Sequence, residues 1–76
     1  MITGKINSIP NKTGRPANWC FIRGDDGADY FLHNTELFNN WEEMKARLAL
    51  SGSVPVEFET TMGEKGLRAV GCKIVD

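Results

Sequence analysis

The sequence predicts an all-β protein: one small Greek-key barrel of five strands, with a short helix between the third and fourth. Three observations predict it. Turn signals recur at short, fairly regular intervals, at Pro10 to Gly14, Gly24 to Gly27, Ser51 to Gly52 and Gly63 to Gly66, as in chains that reverse after each short strand. Five runs of strand character lie between them, the number used by a small Greek-key barrel. At 76 residues, the chain has room for one core and none for a cleft between two lobes. Residues 1–76 are therefore expected to form a single domain, with no repeat or linker.

The first run spans Ile2 to Ile9 and ends at the Pro10 turn. The second and third, Trp19 to Arg23 and Asp29 to His33, are separated by Asp25-Asp26-Gly27. Those residue types tolerate positive φ, so the two runs should close a tight hairpin. Asp25, Asp26 and Asp29 read as turn-forming acids rather than a metal site. Asn34 to Gly52 breaks the β pattern. Asn40-Trp41-Glu42-Glu43 has the form of a helix cap, and Met44, Lys45, Ala46, Arg47 and Leu48 that follow all favour helix. Trp41, Met44 and Leu48 fall on one stripe, which suits a helix that plugs one end of the barrel. The fourth and fifth runs are Val54 to Thr61 and Leu67 to Val75.

Side chains alternate across a strand. Trp19 and Phe21 therefore oppose Cys20 and Ile22, and Phe31 and His33 oppose Tyr30 and Leu32. A barrel this small has one interior, and the compact, mainly aliphatic set Cys20, Ile22 and Leu32 suits it. That places Trp19, Phe21, Phe31 and His33 together on the outside. A contiguous apolar patch on so small a domain marks a binding surface.

The formal net charge of −1 gives no overall attraction to a polyanion. Its distribution is uneven, because Lys5, Lys12, Arg15 and Arg23 occupy the first third without an acid among them. Cys20 and Cys72 lie far apart, with no further ligands at zinc spacing, and read as reduced, buried apolar residues. With no secretory leader and no apolar run near the roughly 20 residues needed to cross a bilayer, a cytoplasmic protein without membrane contact is expected.

At the central hairpin the chain resembles the cold-shock domain family of small oligonucleotide-binding (OB-fold) barrels. That family carries two short ribonucleoprotein-type motifs, which here read Ala17-Asn18-Trp19-Cys20-Phe21-Ile22 and Tyr30-Phe31-Leu32-His33-Asn34. The resemblance continues through Gly4-Lys5-Ile6, Asp26-Gly27 and Asp29, Gly52 with Val56-Glu57-Phe58-Glu59, and Lys65-Gly66 with Arg68-Ala69 and Ile74-Val75, so it covers Gly4 to Val75. It implies a five-stranded antiparallel barrel that binds single-stranded RNA or DNA and loosens RNA structure. It implies Trp19, Phe21, Phe31 and His33 as stacking residues, Lys65 as a basic residue of the last loop, and Asp29 as an acceptor for a base edge.

The chain departs from the family pattern on the binding side. The usual Lys-Trp-Phe of the first strand is Asn7-Ser8-Ile9, the motif Lys is Ala17, and the Phe after the histidine is Asn34. Each lost stacking ring removes about 1–3 kcal/mol, so affinity is expected to fall by orders of magnitude below a full-motif member. The Pro10 to Asn18 loop is about four residues longer than the family's by that alignment, and its Lys12 and Arg15 are placed to reach phosphates. The segment from Asn34 to Gly52 is longer by about one helical turn on the same comparison, in agreement with the helix.

Binding of single-stranded nucleic acid is thus the expected function, with Lys5, Lys12, Arg15 and Lys65 as cations around the rings and Asp29 beside them. No cofactor is called for. The alternative is a protein partner, with the same patch reused as a protein-interaction module. The chain is expected to be a monomer, with weak dimerisation through the patch as a variant. Catalysis is not expected, because His33 has no nucleophile fixed beside it by sequence.

Overall fold

The hairpin of the two motif runs forms around a three-residue turn. The computed structural model describes residues 1–12, 15–64 and 66–75, leaving aside the side chains of 11, 12, 15 and 16. Its elements are β1 (Ile2–Ile6), β2 (Asn11–Lys12), β3 (Arg15–Pro16), β4 (Trp19–Gly24), β5 (Asp29–His33), a 3₁₀ turn (Asn34–Glu36), α1 (Trp41–Ser51), β6 (Val54–Gly63) and β7 (Gly66–Ile74). Between β4 and β5, the Gly27 N–H donates to the Gly24 carbonyl and the Gly24 N–H to the Ala28 carbonyl, both within 2.9 Å. Gly27 adopts φ +88°, the left-handed position that such a turn requires and glycine fills without strain. The Thr3 hydroxyl donates to the Asp25 carboxylate and tethers β1 to the same turn.

The five long strands close into a barrel in the order β1-β4-β5-β7-β6, with β6 returning to β1. Four junctions are antiparallel and the fifth, β5 with β7, is parallel. The expectation of an antiparallel barrel is corrected here, and the reason is parity. Strand direction cannot alternate all the way round a closed ring of five, so at least one neighbouring pair must run the same way. The parallel pair falls where the connection is long enough to allow it, because α1 and β6 intervene between β5 and β7.

The first strand stops at Ile6, short of the expected Ile9. Its neighbour β6 begins at Val54, opposite Ile6, so the ladder on that side ends there. The chain instead folds the long loop into the two-residue ladder of β2 and β3, Asn11 with Pro16 and Lys12 with Arg15. At the other end, β6 and β7 run past the barrel and pair as far as Gly63 with Gly66, which leaves Glu59 to Met62 exposed.

Alternation fills the interior as expected. Ile6, Cys20, Ile22, Leu32, Val56, Phe58 and Cys72 are fully buried, and Tyr30 packs against Phe58 with ring centroids 5.0 Å apart. Gly4 of β1 pairs with Gly24 of β4. A Cβ on Gly4 would sit 2.6 Å from the Arg23 carbonyl oxygen, so a larger residue would force the two strands apart. Both cysteines are free, and burial pushes each thiol up to about 12, with the charge of Cys72 adding to the effect at Cys20.

The helix begins where the cap pattern places it. Asn40 Oδ1 accepts from the Glu42 and Glu43 N–H groups at 2.8 and 3.3 Å, two donors with no partner inside the helix. Gly52 ends the helix at φ +78°, the left-handed cap that favours glycine. Met44 is fully buried, while Trp41 and Leu48 pack half-buried against the same core, so α1 closes one end of the barrel. Among the described residues no helix is long and apolar enough to cross a membrane.

Candidate nucleic-acid interface

The β4–β5 register sets the site. Trp19 faces His33, Phe21 faces Phe31, and Arg23 faces Asp29, and all six side chains stand on the face opposite Cys20, Ile22, Tyr30 and Leu32. Trp19 lies against Phe31 with centroids 5.6 Å apart and planes 25° apart. Phe21 meets both rings edge-on, at 5.6 Å from Trp19 and 6.1 Å from Phe31. Phe21 is 51% exposed, and Trp19, Phe31 and His33 are half-buried. The four aromatic residues named from sequence thus form one outward patch.

His33 is held differently from the three carbocyclic rings. Its Nδ1 accepts from the Thr35 N–H at 3.3 Å and lies 2.9 Å from the Thr35 hydroxyl, so that it caps the 3₁₀ turn. That bond assigns the proton of a neutral ring to Nε2. Asp29 also has a partner, because Arg23 Nε donates to its Oδ1 at 2.6 Å. Any hydrogen bond that Asp29 accepts from a ligand must compete with, or share, this ion pair. Lys5 is exposed and opposite Arg23, so Lys5, Arg23 and Asp29 form a charged row across the three strands, beside the aromatic rows. Lys12 and Arg15 face each other in the β2–β3 ladder, with their side chains outside the described part of the structure. Lys65 lies wholly outside the described residues.

Two open grooves meet at this patch. The larger, about 820 Å³, runs between the rings and the projecting β6–β7 hairpin, where Met62, Gly63, Glu64, Leu67 and Arg68 form its far wall. The smaller, about 400 Å³, is polar and lies toward Asn7, Ser8 and Arg23. Phe21 and Asp29 line both. Phe21 is therefore the ridge between the two grooves, and the smaller one lies beside Asn7 and Ser8.

Arg68, Met62 and Leu67 line this site and were not among the site residues expected from sequence. The Arg68 guanidinium carbon lies 5.7 Å from the Phe31 ring centroid, a cation–π contact. Arg68 is paired with Phe31 across the parallel β5–β7 junction. Alternation alone marks it as outward-facing, since Ala69 beside it is buried, but nothing local in the sequence tells which strand it would adjoin.

Chemically, the patch offers exposed π faces, a few guanidinium and ammonium donors, and no group of His, Cys, Asp and Glu among the described residues arranged to hold a metal ion. It can stack planar ligands and donate to anionic oxygens. No protein-family model matches this chain, and no curated protein matches it.

Proposed function

We propose that the chain binds single-stranded RNA or DNA by stacking bases on the β4–β5 face, as a divergent member of the cold-shock domain family. The observation that carries the reading is the cluster of Trp19, Phe21 and Phe31 on the outer face of the barrel, beside a groove of about 820 Å³. Support comes from the closed five-strand ring, the helix before its fourth long strand, and the position of the rings on the second and third long strands. That is the face oligonucleotide-binding folds use. Flat rings are sequence-tolerant partners because every base has a π face.

The reading makes the protein a cytoplasmic binder that acts without a cofactor or catalytic step, as a monomer able to loosen RNA structure. Its affinity rests more on stacking than on charge, because Glu64 and Asp29 line the large groove along with Arg68. The test is a fluorescence titration with a short oligopyrimidine at about 50 mM and at moderate salt, with Trp19→Ala as control. Quenching or a shift that Trp19→Ala abolishes is expected. No change at the lower salt would defeat the reading.

Those same acids favour a second reading, in which the patch grips a protein, since carboxylates at the groove repel phosphate and accept from a basic peptide. Recovery of one dominant protein from nuclease-treated extract, lost with Trp19→Ala and accompanied by no oligonucleotide binding, would favour it. Self-association through the patch would appear as a mass increase by light scattering.

A further inference from the structure

The strand order sets Trp19 and Arg68 on opposite sides of Phe31, because β4 and β7 flank β5 in the barrel. Trp19 lies nearly parallel to the Phe31 ring at 5.6 Å, and the Arg68 guanidinium stands over that ring at 5.7 Å. Phe31 therefore has a planar neighbour on each side. A guanidinium is planar, stacks on aromatic rings, and keeps its N–H donors free at its edge while doing so. Among the described residues no carboxylate pairs with Arg68, and its side chain lines the large groove.

From this geometry we propose that Arg68 is the end layer of a Trp19–Phe31–Arg68 stack, and that its outer plane takes a base of a single-stranded nucleic acid while its edge donates to the adjoining phosphate. Arg68 thereby supplies a stacking position in a chain that lacks the aromatics of the first strand and has Asn34 after the histidine. Phe31 acts as the spacer between Trp19 and the guanidinium. A plane is needed, and a point charge does not suffice. The inference rests on the nucleic-acid reading above.

The test compares wild type, Arg68→Lys and Arg68→Ala, each checked for fold by circular dichroism, in titrations of a short oligopyrimidine over a series of salt concentrations. Lys keeps the charge and loses the plane. Arg68→Ala should weaken binding roughly 5- to 150-fold, the range of one stacked base, and lower the salt slope by about 0.7. Arg68→Lys should lose most of the same affinity while keeping the wild-type salt slope. Wild-type affinity in Arg68→Lys would overturn the stacking role and leave the general reading standing. Wild-type affinity in Arg68→Ala would remove Arg68 from the site altogether. Failure of the wild type itself to bind would sink the nucleic-acid reading, and this inference with it.

Discussion

The Tyr30 hydroxyl donates a 2.6 Å hydrogen bond to Asp26 Oδ2, so a ring packed in the core is tied to the turn between β4 and β5. Asp26 also accepts from the Ala28 N–H at 3.1 Å. These two bonds, the hydroxyl's first, hold the Asp26 carboxyl below its ordinary 3.8, and the first of them raises the Tyr30 phenol above its ordinary 10.0. For a carboxyl depressed in the folded state, the stabilisation is present above 3.8 and is lost as pH falls through the folded value. For the raised phenol it is present below 10.0 and is lost as pH rises through the folded value. The difference in urea midpoint between wild type and Tyr30→Phe should therefore shrink as pH falls from about 5 to 2. A difference that stays constant over that range would refute the coupling.

The two thiols should be inert in the native state. Both Cys20 and Cys72 are fully buried, with pKa values pushed up to about 12 by burial, so near neutral pH neither the thiolate nor access to it is present. Their contribution to stability is complete below the ordinary 9.0 and is lost as pH rises through about 12. Labelling by a thiol reagent should require unfolding and accelerate with urea in step with the loss of structure. Complete labelling at the rate of a free thiol, without denaturant, would refute this.

Met44 is the plug of the barrel end. Because it is fully buried, Met44→Ala should cost about 2–5 kcal/mol. A domain of this size has only about 3–5 kcal/mol to lose, so the variant should lose a large share of its stability, read as a lowered urea midpoint. Met44→Leu conserves volume and should cost less than about 1.5 kcal/mol.

Asn40 is the helix cap, with one side-chain oxygen serving two backbone N–H groups. Asn40→Ala should cost about 1 kcal/mol, and Asn40→Asp should retain most of the stability. Chemical denaturation followed by far-UV circular dichroism separates the two, and equal losses would remove the cap from the account.

Phe21 and Phe31 should respond differently to truncation. Phe21 is the more exposed ring and the ridge between the grooves, so Phe21→Ala should leave stability nearly intact. It should reduce oligonucleotide affinity roughly 5- to 150-fold. Phe31 lies between Trp19 and Arg68, so Phe31→Ala should lower both stability and affinity. Urea midpoints and binding titrations on the same two variants check both halves.

The hairpin, the helix cap and the two faces of β4 and β5 were legible in the chain because each depends on neighbours in sequence. Asp25-Asp26-Gly27 needs only the backbone freedom of its own residues, and Asn40 needs only the two N–H groups just beyond it. Strand alternation separates Cys20 and Ile22 from Trp19 and Phe21 without reference to the rest of the fold. Where β1 ends was not legible, because that depends on β6 beginning opposite Ile6. The parallel β5–β7 junction was missed for a similar reason, since strand direction in a ring of five is fixed only when the ring closes. Closure also decided the site's far wall. It carried Arg68, 37 positions along the chain from Phe31 by their numbering, to the side of Phe31 opposite Trp19. By itself, then, the sequence determined which side chains face outward on each strand. The tertiary structure alone decided which of them meet, because contact across a barrel depends on strand order and register rather than on any local preference.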